Sequence, residues 1–139
     1  MHTRIFTWLG REFIELTGEA KPAGNAGIET EQLFQSFNRE LNAHGLSLDH
    51  TVRSRLWGRD RPSRDLGSVE RVKILSGKAR SASSSYIAPP HFDSGASIAL
   101  DLIAMRPTMP GAQKRIVEYE PPIAPIRFLV YDSVVVLSG

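Results

Sequence analysis

The chain contains no cysteine, so disulfides, thiolate nucleophiles and thiolate metal sites are all excluded. That absence fits a reducing compartment, and the cytoplasm is the expected location. Long apolar runs are also missing. Ile5 to Leu9 is cut short by Gly10-Arg11-Glu12, too soon for a signal peptide or a membrane span. Large single-sign charge is absent too, with 17 Lys and Arg against 15 Asp and Glu. His2, His44, His50 and His91 fall at no metal-ligand spacing, so no metal site is expected.

What the chain does have is enough length, 139 residues, to bury one core without disulfides or a structural metal. Its positive charge is clustered locally: Arg53, Arg55, Arg59, Arg61 and Arg64, with Asp60 and Asp65 between them. Such a group can neutralise nucleic-acid phosphates. It can equally be a solvated strand end held by local ion pairs, which the interleaved acids favour.

Ile5–Leu9 and Arg11–Gly18 read as a hairpin turning at Gly10, being aromatic and β-branched over strand-like lengths. Thr30 is the expected N-cap of a helix whose Leu33, Phe34, Phe37 and Leu41 share one face, with Gly45 as its left-handed stop. Thr51–Trp57 alternates as a strand. Pro62 and Ser63 open a second helix that carries Leu66, Val69 and Val72 and ends near Gly77. Ser81–Ala88 and Ser97–Met105 are expected strands on either side of a turn at Pro89–Gly95. The order strand, strand, helix, strand, helix, strand, strand predicts an α+β fold, a mixed sheet with two helices packed on one face.

After Arg106-Pro107 the chain runs on for more than thirty residues. Arg115–Tyr119 reads as a strand, and Ile126–Leu137 as a very apolar strand or hairpin ending in Ser138-Gly139. An uncovered edge of that kind would aggregate, so something must cover it.

The stretch Gly45-Leu-Ser-Leu-Asp49, the strand to Trp57, Arg59-Asp60, Ala79-Arg80-Ser81 and Ile98-Ala-Leu-Asp-Leu-Ile-Ala104 together resemble the RidA/YjgF family. Leu16-Thr17-Gly18 is similar to that family's Ser-Gly at the end of its second strand. The resemblance spans about residues 5–105 and rests on order and spacing rather than on any single motif. It implies a chorismate-mutase-like fold and a homotrimer with ligand clefts between subunits. It also implies enamine or imine deamination without a cofactor. By the same resemblance, Arg80 matches the arginine that pairs with a substrate carboxylate, as a planar guanidinium fork does well. The backbone at Gly18 and Ala82 would line that cleft.

Departures from the family pattern bear on activity. Ala99 stands where the family deaminases hold water with a glutamate, and an alanine cannot activate water. Asp101, two residues on and on the same strand face, is the alternative carboxylate in the sequence. Ser68 replaces a family asparagine, and the turn between Arg80 and Ala104 is longer than usual. Ser81, Ser83, Ser84 and Ser85 have no base placed by sequence to activate them, so they read as strand hydroxyls available to a ligand. Tyr86 and Phe92 bracket the long turn as candidate pocket walls or simply packed rings.

These readings divide the chain into a RidA-like domain over residues 1–106 and an extension over residues 107–139. The extension is either an added strand pair or the start of a second copy, since Val130–Gly139 resembles the second-strand entry already seen at residues 9–18. The expected function is binding of a small carboxylate-bearing imine, enamine or 2-oxo acid, with hydrolysis to a 2-oxo acid and ammonia as its catalytic form. The alternatives are a non-catalytic binding member, a relative acting on chorismate-type enolpyruvyl acids, and RNA binding or cleavage, for which an acid/base pair is lacking. No membrane partner is expected.

Overall fold

The computed structural model describes residues 1–138, and of His91 the backbone alone. The readings that concern the His91 side chain and Gly139 lie outside the described residues. Strands β1 (His2–Trp8), β2 (Arg11–Glu19), β3 (Thr51–Gly58), β4 (Ala82–Ile87) and β5 (Ile98–Arg106) form one five-stranded sheet in the order β1-β2-β5-β3-β4. Only β3 and β4 are parallel, and helix α2 (Arg61–Ile74) connects them, as a parallel pair requires. Helix α1 (Ala26–Ala43) lies beside α2 on the same face. This is the expected α+β architecture.

Strict alternation builds the layer. On β5, Ile98, Leu100, Leu102 and Ala104 point into the core beneath the helices, while Asp101 and Ile103 point to the opposite face. Leu33, Phe34, Phe37 and Leu41 of α1 meet them as an unbroken apolar stripe. The helix ends as expected: Gly45 has φ +76° and Leu46 N–H donates to Leu41 O at 2.9 Å. Its start differs. Asn25 is the N-cap, its side chain accepting from Ile28 N at 3.0 Å, and Thr30 is buried one turn into the helix with its hydroxyl donating to Ala26 O. A sequence capping signal inside a helix is reversed when the hydroxyl bonds back to the preceding turn.

Helix α2 presents its other side to solvent from what its apolar residues suggest. Leu66, Val69 and Val72 are 52%, 57% and 45% exposed, and the inward positions are Ser63, Gly67 and Arg71. At Gly67 and at Gly58 of β3, helix and sheet lie too close for a side chain. A Cβ on Gly67 would stand 2.7 Å from Ile98 Cδ1, and one on Gly58 would stand 2.6 Å from the backbone of Arg64.

Residues 107–138 form a second, three-stranded sheet of β6 (Arg115–Val117), β7 (Phe128–Tyr131) and β8 (Val134–Leu137). Asp132 and Ser133, both at positive φ, make the two-residue turn of the β7–β8 hairpin. This sheet covers part of the main sheet's other face. Ile126, Leu129, Tyr131 and Val134 pack on Phe13, Val52, Ala82 and Met105 in a second core. The inward side of the apolar tail is thus covered by the main sheet, while Val135 and Leu137 stay exposed.

Candidate functional site

A cavity of about 350 Å³ opens between α2, the edge strand β4 and the tail. Its floor comes from the serine-rich strand, where Ser81, Ser83, Ser84 and Ser85 all contribute, and from Ser68 of α2. Tyr119, Pro125 and Ser138 of the tail form the roof. The tail is fixed over it by specific bonds: Ser83 N–H donates to Ser138 Oγ at 3.1 Å, and an Arg53 Nη1 donates to Leu137 O at 3.2 Å.

Arg71 is a buried cation in the cavity wall. It is 7% exposed, inward on α2, and its guanidinium reaches the cavity wall. Nη1 donates to Ser84 O at 2.8 Å and, weakly, to Ser54 Oγ at 3.5 Å, while Nη2 donates to Ser85 Oγ at 2.6 Å. All these acceptors are neutral, and no carboxylate pairs with it among the described residues. A guanidinium carries five N–H donors, so donors remain. Burial pushes its pKa down to about 10, the sign of a charge held without compensation. Ser81 adds a second unmet demand, since its buried hydroxyl has no hydrogen-bond partner among the described residues.

Arg80 sits at the cavity's rim, where a 3-10 turn (Gly77–Ala79) delivers the chain into β4. A carboxylate from the tail already holds it. Arg80 Nε and Nη2 donate to the two oxygens of Glu118 at 2.6 and 2.9 Å. The Arg80 hydrogen bond holds the Glu118 carboxyl below its ordinary pKa. Ser68 completes the group, its hydroxyl 2.9 Å from that of Ser85.

The remaining sequence-derived residues lie elsewhere. Ala82 is fully buried in the second core, although its neighbours Ser81 and Ser83 line the cavity. Asp101, Ala99 and Tyr86 occupy the sheet face opposite the helices, in register with Arg55 and Trp57 of β3. There Arg55 pairs with Asp101 at 2.8 Å, the Trp57 indole N–H donates to Asp101 at 3.4 Å, and the Trp57 and Tyr86 rings stack at 4.5 Å. Gly18 is on β2, three strands from β4 and so about 14 Å across the sheet. A Cβ there would stand 3.3 Å from the Met1 backbone.

The arginine cluster is dispersed by the fold. Arg53 holds the tail, Arg55 pairs with Asp101, and Arg64 pairs with Asp65. Arg59 donates to Ala96 O at 2.7 Å and lies 4.7 Å over the Phe92 ring, which shapes the long turn rather than the cavity. Among the described residues no three His, Asp or Glu side chains gather to hold a metal. No helix of the described residues is long and apolar enough to cross a membrane.

Sequence reading missed Arg71 and Glu118. Arg71 could have been found from Ser63, Gly67 and Arg71 at four-residue spacing, a face of small residues ending in one long cation. Glu118 gave no such signal, because its partner lies 38 residues away across an unrelated strand.

No family model and no curated protein matches the sequence. Solved structures do match in shape. Rv2704 of Mycobacterium tuberculosis, a member of the YjgF/YER057c/UK114 family, superposes with a TM-score of 0.61 at 16% identity, covering 68% of this chain and 79% of its own. NMB1025 of Neisseria meningitidis, a YjgF-family protein, gives 0.62 at 16% identity over 78% of this chain and 98% of its own. Yeast Mmf1 gives 0.61 at 17% identity over 69% and 84%. With two helices over one face of a mixed sheet, this chain has the fold of the YjgF/RidA proteins.

Proposed function

We propose that the protein binds a small carboxylic acid of the 2-oxo acid or imino acid class in the cavity between α2, β4 and the tail. The observation that carries this reading is the buried Arg71 guanidinium, which lines the cavity and has no counterion among the described residues. A buried cation is costly unless paired, and an incoming carboxylate supplies the missing charge with matched fork geometry. The Ser81 hydroxyl, unpartnered in the same wall, is positioned for the ligand's second polar group. Arg80, expected as the anchor, acts at the rim and must first release Glu118.

Binding without turnover is the primary reading. Among the described residues the cavity lining contains no acid, Ala99 lies on the other sheet face, and Asp101 is committed to Arg55 and Trp57. One observation favours hydrolysis as a second reading: the tail brings the Glu118 carboxylate to the cavity rim. A ligand that took Arg80 would leave that carboxylate free to accept a proton from water. A homotrimer, with the uncovered part of the sheet face around Trp57 and Tyr86 turned to neighbouring subunits, belongs to the same reading. So does the division into a domain over residues 1–106 and a covering extension over residues 107–139.

Calorimetric titration with 2-oxobutanoate tests the binding reading. Saturable binding is expected in the wild type, weakened at least tenfold in Arg71→Met. Absence of heat with the folded wild type refutes it. Ammonia release from freshly generated 2-iminobutanoate separates the readings: release that is lost in Glu118→Gln supports hydrolysis, and none supports binding alone.

A further inference from the structure

A second cavity, of about 490 Å³, lies on the other side of the Gly77–Ala79 turn, between it, the 3-10 turn Leu48–His50 and the start of the tail. We propose that Lys114 in this cavity is a reactive amine that condenses with the carbonyl carbon of a small oxo acid to form an imine.

Lys114 Nζ donates to the backbone oxygens of Lys78 at 2.9 Å and Arg80 at 3.1 Å, so the nitrogen is fixed at the cavity wall rather than swinging in solvent. No carboxylate pairs with it: Asp49 lines the same cavity but makes no ion pair with Lys114 among the described residues. Burial pushes the Lys114 pKa down to about 8, against the opposing pull of Asp49. A far larger share of free amine is therefore present near neutrality than on an exposed lysine.

The other polar groups in the cavity suit such a condensation. His50 accepts the Ser47 N–H at Nδ1, so its neutral ring carries the proton on Nε2 and can donate it. Burial, then Asp132 and Asp49, raise the Tyr131 pKa, which keeps the phenol a donor. Asp49 is an acceptor. Lys78 also lines the cavity, a cation available to a carbonyl compound that carries a carboxylate.

The step balances without an oxidant or cofactor. The nitrogen lone pair adds to the carbonyl carbon, and the carbonyl oxygen takes a proton to give a carbinolamine. That hydroxyl then leaves as water on accepting a second proton, while nitrogen loses its two protons in all to the acceptors around it. The product is a Lys114 C=N bond and one water.

This site shares no side chain with the Arg71 cavity, and the two fail separately. The test is reductive trapping of the full chain with pyruvate and cyanoborohydride, followed by peptide mass mapping. The expected result is a single carboxyethyl adduct on Lys114, retained in Arg71→Met and absent in Lys114→Arg, which keeps donors for both carbonyls. Label spread over Lys21, Lys73 and Lys78 as much as Lys114, or no label at Lys114, overturns the proposal.

Discussion

Glu118 clasps Arg80 with both carboxylate oxygens, at 2.6 and 2.9 Å, and so places a carboxylate of the protein's own on the rim of its serine-lined cavity. The bond joins the turn before β4 to the tail across 38 residues of sequence. Its side chains are 26% and 32% exposed, so its contribution to stability is small, and its larger effect is on what else can reach Arg80.

Freeing that arginine should therefore help a ligand. Glu118→Gln is expected to tighten 2-oxobutanoate binding about twofold to fivefold, the release of one partly exposed ion pair. Calorimetry on the two proteins checks it, and unchanged or weaker binding counts against competition between Glu118 and the ligand.

The clasp is also pH-dependent with a definite sign. Glu118 has a folded pKa below its ordinary 4.5, so its stabilising effect is complete above the unfolded value and is lost as pH falls through the folded one. Asp132, lowered chiefly by its bonds from Thr108 and then by Arg11, acts the same way at the tail's other end. Melting curves of the wild type and Glu118→Gln should differ slightly at pH 7 and converge in acid. A gap that widens in acid would contradict the sign.

The tail's role as a cover can be measured through Ile126, fully buried against the main sheet. Ile126→Ala should lower unfolding free energy by about 2–5 kcal/mol in a single transition. A separate early transition, with the main one unmoved, would show the tail to be an independent appendage.

Two glycines set the approach of α2 to the sheet. A Cβ at Gly67 meets side-chain ends that can shift, so Gly67→Ala should cost about 1–3 kcal/mol. At Gly58 the Cβ meets Arg64 backbone at 2.6 Å, which cannot give, and Gly58→Ala should be the more damaging in chemical denaturation.

Sequence pattern was informative wherever one residue class repeats on one face. Phe34, Phe37 and Leu41 share the buried side of α1, and Ile98 through Ala104 alternate, so both elements could be placed. It misled on α2, because close approach to the sheet requires small residues inward and turns Leu66, Val69 and Val72 outward. Of the site, the sequence marked Arg80, Ser68 and the serines of β4. It could not show that Asp101 and Tyr86 face away from them, since that depends on register with β3, or that residues of the tail close the cavity.

The most direct test of the account is a crystal structure of the protein with 2-oxobutanoate at saturation. The predicted result is the ligand carboxylate within hydrogen-bond distance of the Arg71 guanidinium, beside the Ser81 hydroxyl and under Tyr119. A ligand seated instead on the Arg55 and Asp101 face, or an Arg71 cavity with no ligand at saturation, would contradict it.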